Sequence, residues 1–199
     1  MLRRCQRVLM DGQYMNRVYE LRMDQIKPAK YEAVKTIFMK EMPKRPEAGV
    51  CLGFWDVQVG AFNQFVVIWQ FKSLTDRSEC LKRLHEDKEW QRNCIEPMKP
   101  LLRFQSNMLM RMIYRESNVS RLSYHYLLQF TDAKDVELPQ DAILAATFQV
   151  VVGSLEGKYV HLIKNLNPDG ILPLTPKLGN SSLVMGPARC APIMGCIWR

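Results

Sequence analysis

The stretch Gly53-Phe-Trp-Asp-Val-Gln-Val-Gly60-Ala-Phe-Asn-Gln-Phe-Val-Val-Ile-Trp69 decides the fold. Two apolar runs flank a short turn that opens on glycine at Gly60–Asn63, which reads as a β-hairpin. In the second run Phe65, Val67, Trp69 and Phe71 line one face, and Val66 and Ile68 the other. A strand that is apolar on both faces is central and covered on both sides. The flanking segments say what covers one of them. Asn16 to Gln25 alternates as a strand, with Tyr19, Leu21 and Met23 opposite Val18, Glu20 and Arg22. Pro28 sits in the first turn of a helix with Tyr31, Val34, Ile37, Phe38 and Met42 at helical spacing. Pro43 and Pro46 stop that helix. Ser73 or Thr75 caps a second helix, Asp87 restarts it, and Ser106 to Tyr114 alternates as a fourth strand. The class is α+β: a ferredoxin-like split β-α-β unit. Its helices cover one sheet face, so the other needs a second layer of strands, from this chain or another copy.

The sequence then partly repeats itself. Tyr124 to Phe130 echoes the first strand, and Ala142 to Val152 with Lys158 to Lys164 echoes the hairpin. Gly153-Ser-Leu stands where Gly60-Ala-Phe stood. The segment between the first two strands of this copy is too short and too acidic for a covering helix. The division expected is a basic leader at 1–15, the ferredoxin-like unit at 16–114, a degenerate second repeat without helices at 122–165, and an irregular, Pro- and Gly-rich tail at 166–199.

Composition narrows the function classes. With 199 residues and 47% hydrophobic content, the chain can build a core without disulfide or metal staples. Its net charge of +8 suits acidic partners or an anionic membrane surface. The cations are scattered, however, and no aromatic base-stacking module accompanies them, which argues against nucleic acid. The six cysteines form no Cys-x-x-Cys pair and read as small apolar filler in a reduced compartment. No apolar run approaches the ~20 residues of a membrane-spanning helix. Arg3, Arg4 and Arg7 precede the first acid, Asp11, a composition shared by mitochondrial presequences and ordinary basic tails.

Val18-Tyr-Glu-Leu-Arg22, Ile26-Lys-Pro28, Gly53-Phe-Trp55, Gly60-x-x-Asn63, Ile68-Trp69, Arg77 and Asp87-Lys-Glu-Trp-Gln91 together resemble the NIPSNAP family, over about residues 16–113. The resemblance implies two repeats of the dimeric α+β barrel type, with sheets packed face to face. It also implies a mitochondrial association and roles in vesicular transport or mitochondrial quality control. A cytoplasmic location is the alternative.

Candidate chemistry is sparse. Glu20 and Arg22, adjacent on one strand face, suit either a structural ion pair or a small anionic ligand. Asn63 reads as a turn residue that tolerates a left-handed backbone, with a pocket role as the alternative. Met108, Met110 and Met112 offer either a helix-packed face or an adaptable partner surface. The related scaffold includes cofactor-free oxygenases and haem-degrading enzymes, and the latter use an Asn, a Trp and a His, which nominates Asn16, Trp69 and His85 here. His85 reads as a solvated helix-end residue and Trp69 as packing. His125 and His161 lie on matched strands without further metal ligands. No Ser-His-Asp set, catalytic carboxylate pair or phosphate loop is present. The expectation is a non-enzymatic interaction protein needing no cofactor or metal. It would meet a protein partner or itself through the sheet face, with Trp55, Phe65 and Trp69 as apolar contacts and peripheral contact with anionic membrane. The alternative is a cofactor-free oxygenase or haem-binding enzyme.

Overall fold

The structure, a computed structural model, describes residues 16–42, 49–116, 125–136, 138, 142–165 and 182–185. The basic leader expected at 1–15, most of the expected tail and part of the acidic connection lie outside these residues.

The chain alternates as the periodicity demands: β1 (Val18–Ile26), α1 (Tyr31–Glu41), β2 (Val50–Val59), β3 (Gln64–Phe71), α2 (Leu74–Glu86) and α3 (Lys88–Trp90). One π turn, Gln91–Ile95, then leads into α4 (Glu96–Met98) and a 3-10 turn at Lys99–Leu101. Strands follow to the end: β4 (Leu102–Arg115), β5 (His125–Thr131), β6 (Ala142–Val152), β7 (Tyr159–Asn165) and β8 (Ser182–Met185). Ser73 caps α2 by accepting from the Asp76 backbone N–H, and Asp87 caps α3 through Glu89 and Trp90. Helix α1 begins later than expected. Pro28 and Ala29 form a turn closed by Lys30 N–H on Lys27 O at 3.1 Å, with Ala29 at φ +63°.

The strands close into one barrel in the order β1-β3-β2-β8-β5-β7-β6-β4. That order is the same four-strand pattern written twice. β4-β1-β3-β2 is the first copy, and β8-β5-β7-β6 is the second. The second layer that the apolar hairpin requires is therefore supplied within the chain. The two hairpin turns also match in conformation: Gly60 has φ +128° and Gly153 φ +132°, values that favour glycine. The stretch read as an irregular tail supplies β8, the fourth strand of the second copy, which joins β2 to β5. Strand β8 was illegible because four residues flanked by Pro and Gly carry no periodicity above background.

Two cores follow from strand alternation. Tyr19, Leu21, Trp55, Val66, Ile68 and Met110 point inward, where they meet Leu128, Phe148, Leu162 and Met185 of the second copy. Phe54, Phe65, Val67, Trp69 and Phe71 point outward under the helices, with Val34, Phe38, Cys80 and Cys94. Cys51 joins this layer, so the described cysteines serve as apolar filler. The outer face of the second copy has no helix among the described residues. Leu138 and Val136, from the β5–β6 connection, cover Leu127, Leu144 and Ile163 instead.

Candidate functional site

Strand β1 sends Glu20, Arg22 and Asp24 outward beside β4, toward the helices. Glu20 is buried; its Oε2 accepts from Arg77 Nε of α2 at 2.8 Å, and its Oε1 from Asn107 Nδ2 at 3.1 Å. Asp24 takes Arg22 Nη2 at 2.9 Å and Gln105 Nε2 at 2.6 Å. Arg22 also lies over the Phe38 ring, 5.7 Å from its centroid, and stays 24% exposed. Glu20 and Arg22 are thus not each other's partners; each has a nearer charge. Burial raises the Glu20 pKa, but the hydrogen bond and charge of Arg77, the Asn107 hydrogen bond and the Arg22 charge outweigh it and hold the carboxyl below its ordinary value. A carboxylate stabilised in this way is a poor base at neutral pH. What it does well is fasten α2 to the sheet.

A second polar group lies on the outer face of the second copy. His161 is buried between Thr147 Oγ1, 3.0 Å from its Nδ1, and the Ala133 carbonyl, 3.1 Å from its Nε2. A carbonyl only accepts, so Nε2 carries the proton and Nδ1 receives the Thr147 hydroxyl. Desolvation lowers the His161 pKa, against the opposing pull of the Ala133 carbonyl and the Asp135 charge. The ring therefore pins the β5–β6 connection to the barrel wall.

The remaining candidates fall elsewhere. Phe65 and Trp69 face the helices and are buried, Trp69 to 2% exposure, so neither stands at an outer surface. Trp55 is buried inside the barrel, edge-on to Tyr126 at 5.6 Å. Its contact is indeed with a second layer of strands, but that layer is the chain's own. The hairpin register pairs Trp55 with Val66, so Trp55 shares the inward face of Val66 and Ile68, while Trp69 alternates with them to the outer face. Met108, Met110 and Met112 face the barrel interior. Asn63 has φ +54°, and its carbonyl accepts from Ile26 N–H at 2.7 Å, a turn role. Asn16 and His85 are exposed, and they do not converge on Trp69. His125 pairs with Asn165 across β5 and β7, whereas His161 pairs with Gln129, so the two histidines do not meet. Among the described residues no three His, Cys, Asp or Glu gather as a metal site. Sequence reading missed Asp24, Gln105 and Asn107, whose only signal was polar alternation continuing along one strand face.

Residues 19–114 match the NIPSNAP family model. NipSnap homolog 3A of Homo sapiens is 32% identical over 91 residues, which covers 45% of this chain and 37% of that protein. NipSnap homolog 3B of Homo sapiens is 33% identical over 86 residues, 43% of this chain and 35% of that protein. The chain thus spans little more than a third of the curated relatives it matches. An anthrone oxidase-like protein superposes with a TM-score of 0.60 at 8% identity, over 87% of this chain and 91% of that one. A putative monooxygenase from Fusobacterium nucleatum superposes at 0.55 with 7% identity, over 88% and 94%. At such identities the likeness is one of fold.

Proposed function

We propose, from the premise that residues 19–114 are a NIPSNAP-family domain, that this protein is a non-enzymatic interaction module associated with mitochondria, serving vesicular transport or mitochondrial quality control. The observation that carries this reading is the filled barrel. Tyr19, Trp55, Phe148 and Met110 occupy the interior at 1% exposure or less, and this is the packing of a structural core. Recognition then falls to the outer surface, because the sheet faces are spent on the second copy and on the helices. The test is affinity capture of the tagged full chain from a mitochondrial fraction and from cytosol. A partner recovered from the former alone supports the reading. Recovery only from cytosol, or of nothing from either, overturns it.

One observation favours a second reading, a cofactor-free oxygenase or haem-binding enzyme. The Trp55 Nε1 donor is buried inside the barrel without a hydrogen-bond partner among the described residues. It shares that interior with Met108, Met112 and Met185, side chains that repack readily around a ligand. Haem titration and turnover of quinol-like substrates decide this reading: no shifted absorption band and no oxygen uptake would end it.

A further inference from the structure

The barrel end that carries both hairpin turns is unlike the rest of the surface. Among the described residues eight large apolar side chains are exposed, and five of them, Val59, Phe62, Phe104, Val151 and Val152, stand at this end. Phe62 is 82% exposed at the tip of the β2–β3 turn, and Phe104 is 62% exposed where β4 begins. The register fixes their relation. Asn63, next to Phe62, accepts from Ile26, and Phe104 is the Cα partner of Gln25. The two residues thus flank β1 at its last residues, with the backbones of the two flanking strands about 10 Å apart at the usual strand spacing. Val152 follows from the other copy, opposite Leu109 of β4. Exposed Lys27, Lys30, Lys99 and Arg103 lie beside the Phe62 and Phe104 tips, against Glu96, while around the β6–β7 turn stand Glu156 and the ion pair of Lys158 with Asp132. Lys27 is held in place by its Nζ on Pro100 O at 2.7 Å.

We infer that this end is a membrane-docking surface, in which Phe62 and Phe104 enter the headgroup region of an anionic bilayer while Lys27, Lys30, Lys99 and Arg103 meet its phosphates. Aromatic rings favour the bilayer interface, and clustered cations add attraction to anionic lipid. The charge pattern selects this occupant over a second copy. An isologous dimer through this patch would bring the four cations of one chain against the same four of the other.

Flotation of the full chain with phosphatidylcholine vesicles, with and without added phosphatidylserine, tests the inference. The chain should float with the anionic vesicles and release them as salt rises. Phe62→Ser with Phe104→Ser should weaken binding about tenfold, and Lys99→Glu with Arg103→Glu should do the same. The thermal midpoint should not move, because these side chains are exposed. Three results overturn the inference: no flotation with anionic vesicles, flotation indifferent to both pairs of substitutions, or a concentration-dependent dimer that the Phe62 and Phe104 changes dissolve. Indifference would transfer any lipid contact to Arg3, Arg4 and Arg7.

Discussion

The indole of Trp55 folds back over Gly53, two residues earlier on the same strand face, and its six-membered ring occupies the space where a Cβ at Gly53 would lie. The glycine exists to admit the ring. Gly53→Ala should therefore displace the largest side chain inside the barrel and cost about 3 kcal/mol. Chemical denaturation checks it, with near-ultraviolet circular dichroism reporting the tryptophan; an unchanged midpoint would mean the indole has room to move.

Arg77 supplies both the hydrogen bond and the nearest charge that keep Glu20 ionised in a buried position. Arg77→Ala should cost about 2–3 kcal/mol, the low end for a broken buried pair because Arg77 itself reaches solvent. A carboxyl whose folded pKa lies below its ordinary 4.5 stabilises the fold above that value. The contribution is lost as pH falls below 4.5 through the folded pKa. Glu20→Gln should flatten this acid limb of the stability curve, as read by denaturation at a series of pH values.

His161 has the same sign for a different reason. Burial lowers its pKa below the ordinary 6.5, so between those two values the unfolded chain binds the extra proton. Stability should be full above pH 6.5 and decline as pH falls toward the folded value. Hydrogen exchange should localise the earliest opening to residues 132–136. His161→Gln should remove the decline between pH 6.5 and the folded pKa.

Ala29 holds φ +63° in the turn ahead of α1, a conformation in which a Cβ is costly. Ala29→Gly should raise stability by about 0.5–1 kcal/mol. A loss of stability would mean that the entropy of the unfolded glycine outweighs the strain relieved.

Strand β8 closes the barrel through short pairings with β2 and β5. A chain ending after Asn165 should leave both neighbouring edges unpaired and aggregate during refolding. Light scattering checks this; a soluble, cooperatively folding truncation would show that the seam needs no strand.

The helices, the first four strands, both hairpin turns and the demand for a second layer were legible in the sequence, because each rests on local periodicity and turn chemistry. The family resemblance added two repeats. Partners of individual side chains were not legible. Glu20 and Arg22 looked like a pair because they are two residues apart, yet Arg77 and Asp24 lie closer in space. Phe65, Trp69 and Trp55 looked alike as apolar contacts, yet two lie under helices and one inside the barrel.

Sequence alone determined that the hairpin strands must be buried on both sides, since no solvated sheet tolerates Phe65-Val-Val-Ile-Trp69. Only the tertiary structure decided that one chain does both coverings, because closure depends on β8, a strand too short to announce itself. The physical reason is range. Periodicity reports what a residue's immediate neighbours require, whereas register and closure are set by contacts between residues far apart in sequence, 89 positions for Glu20 and Leu109 and 128 for Val57 and Met185.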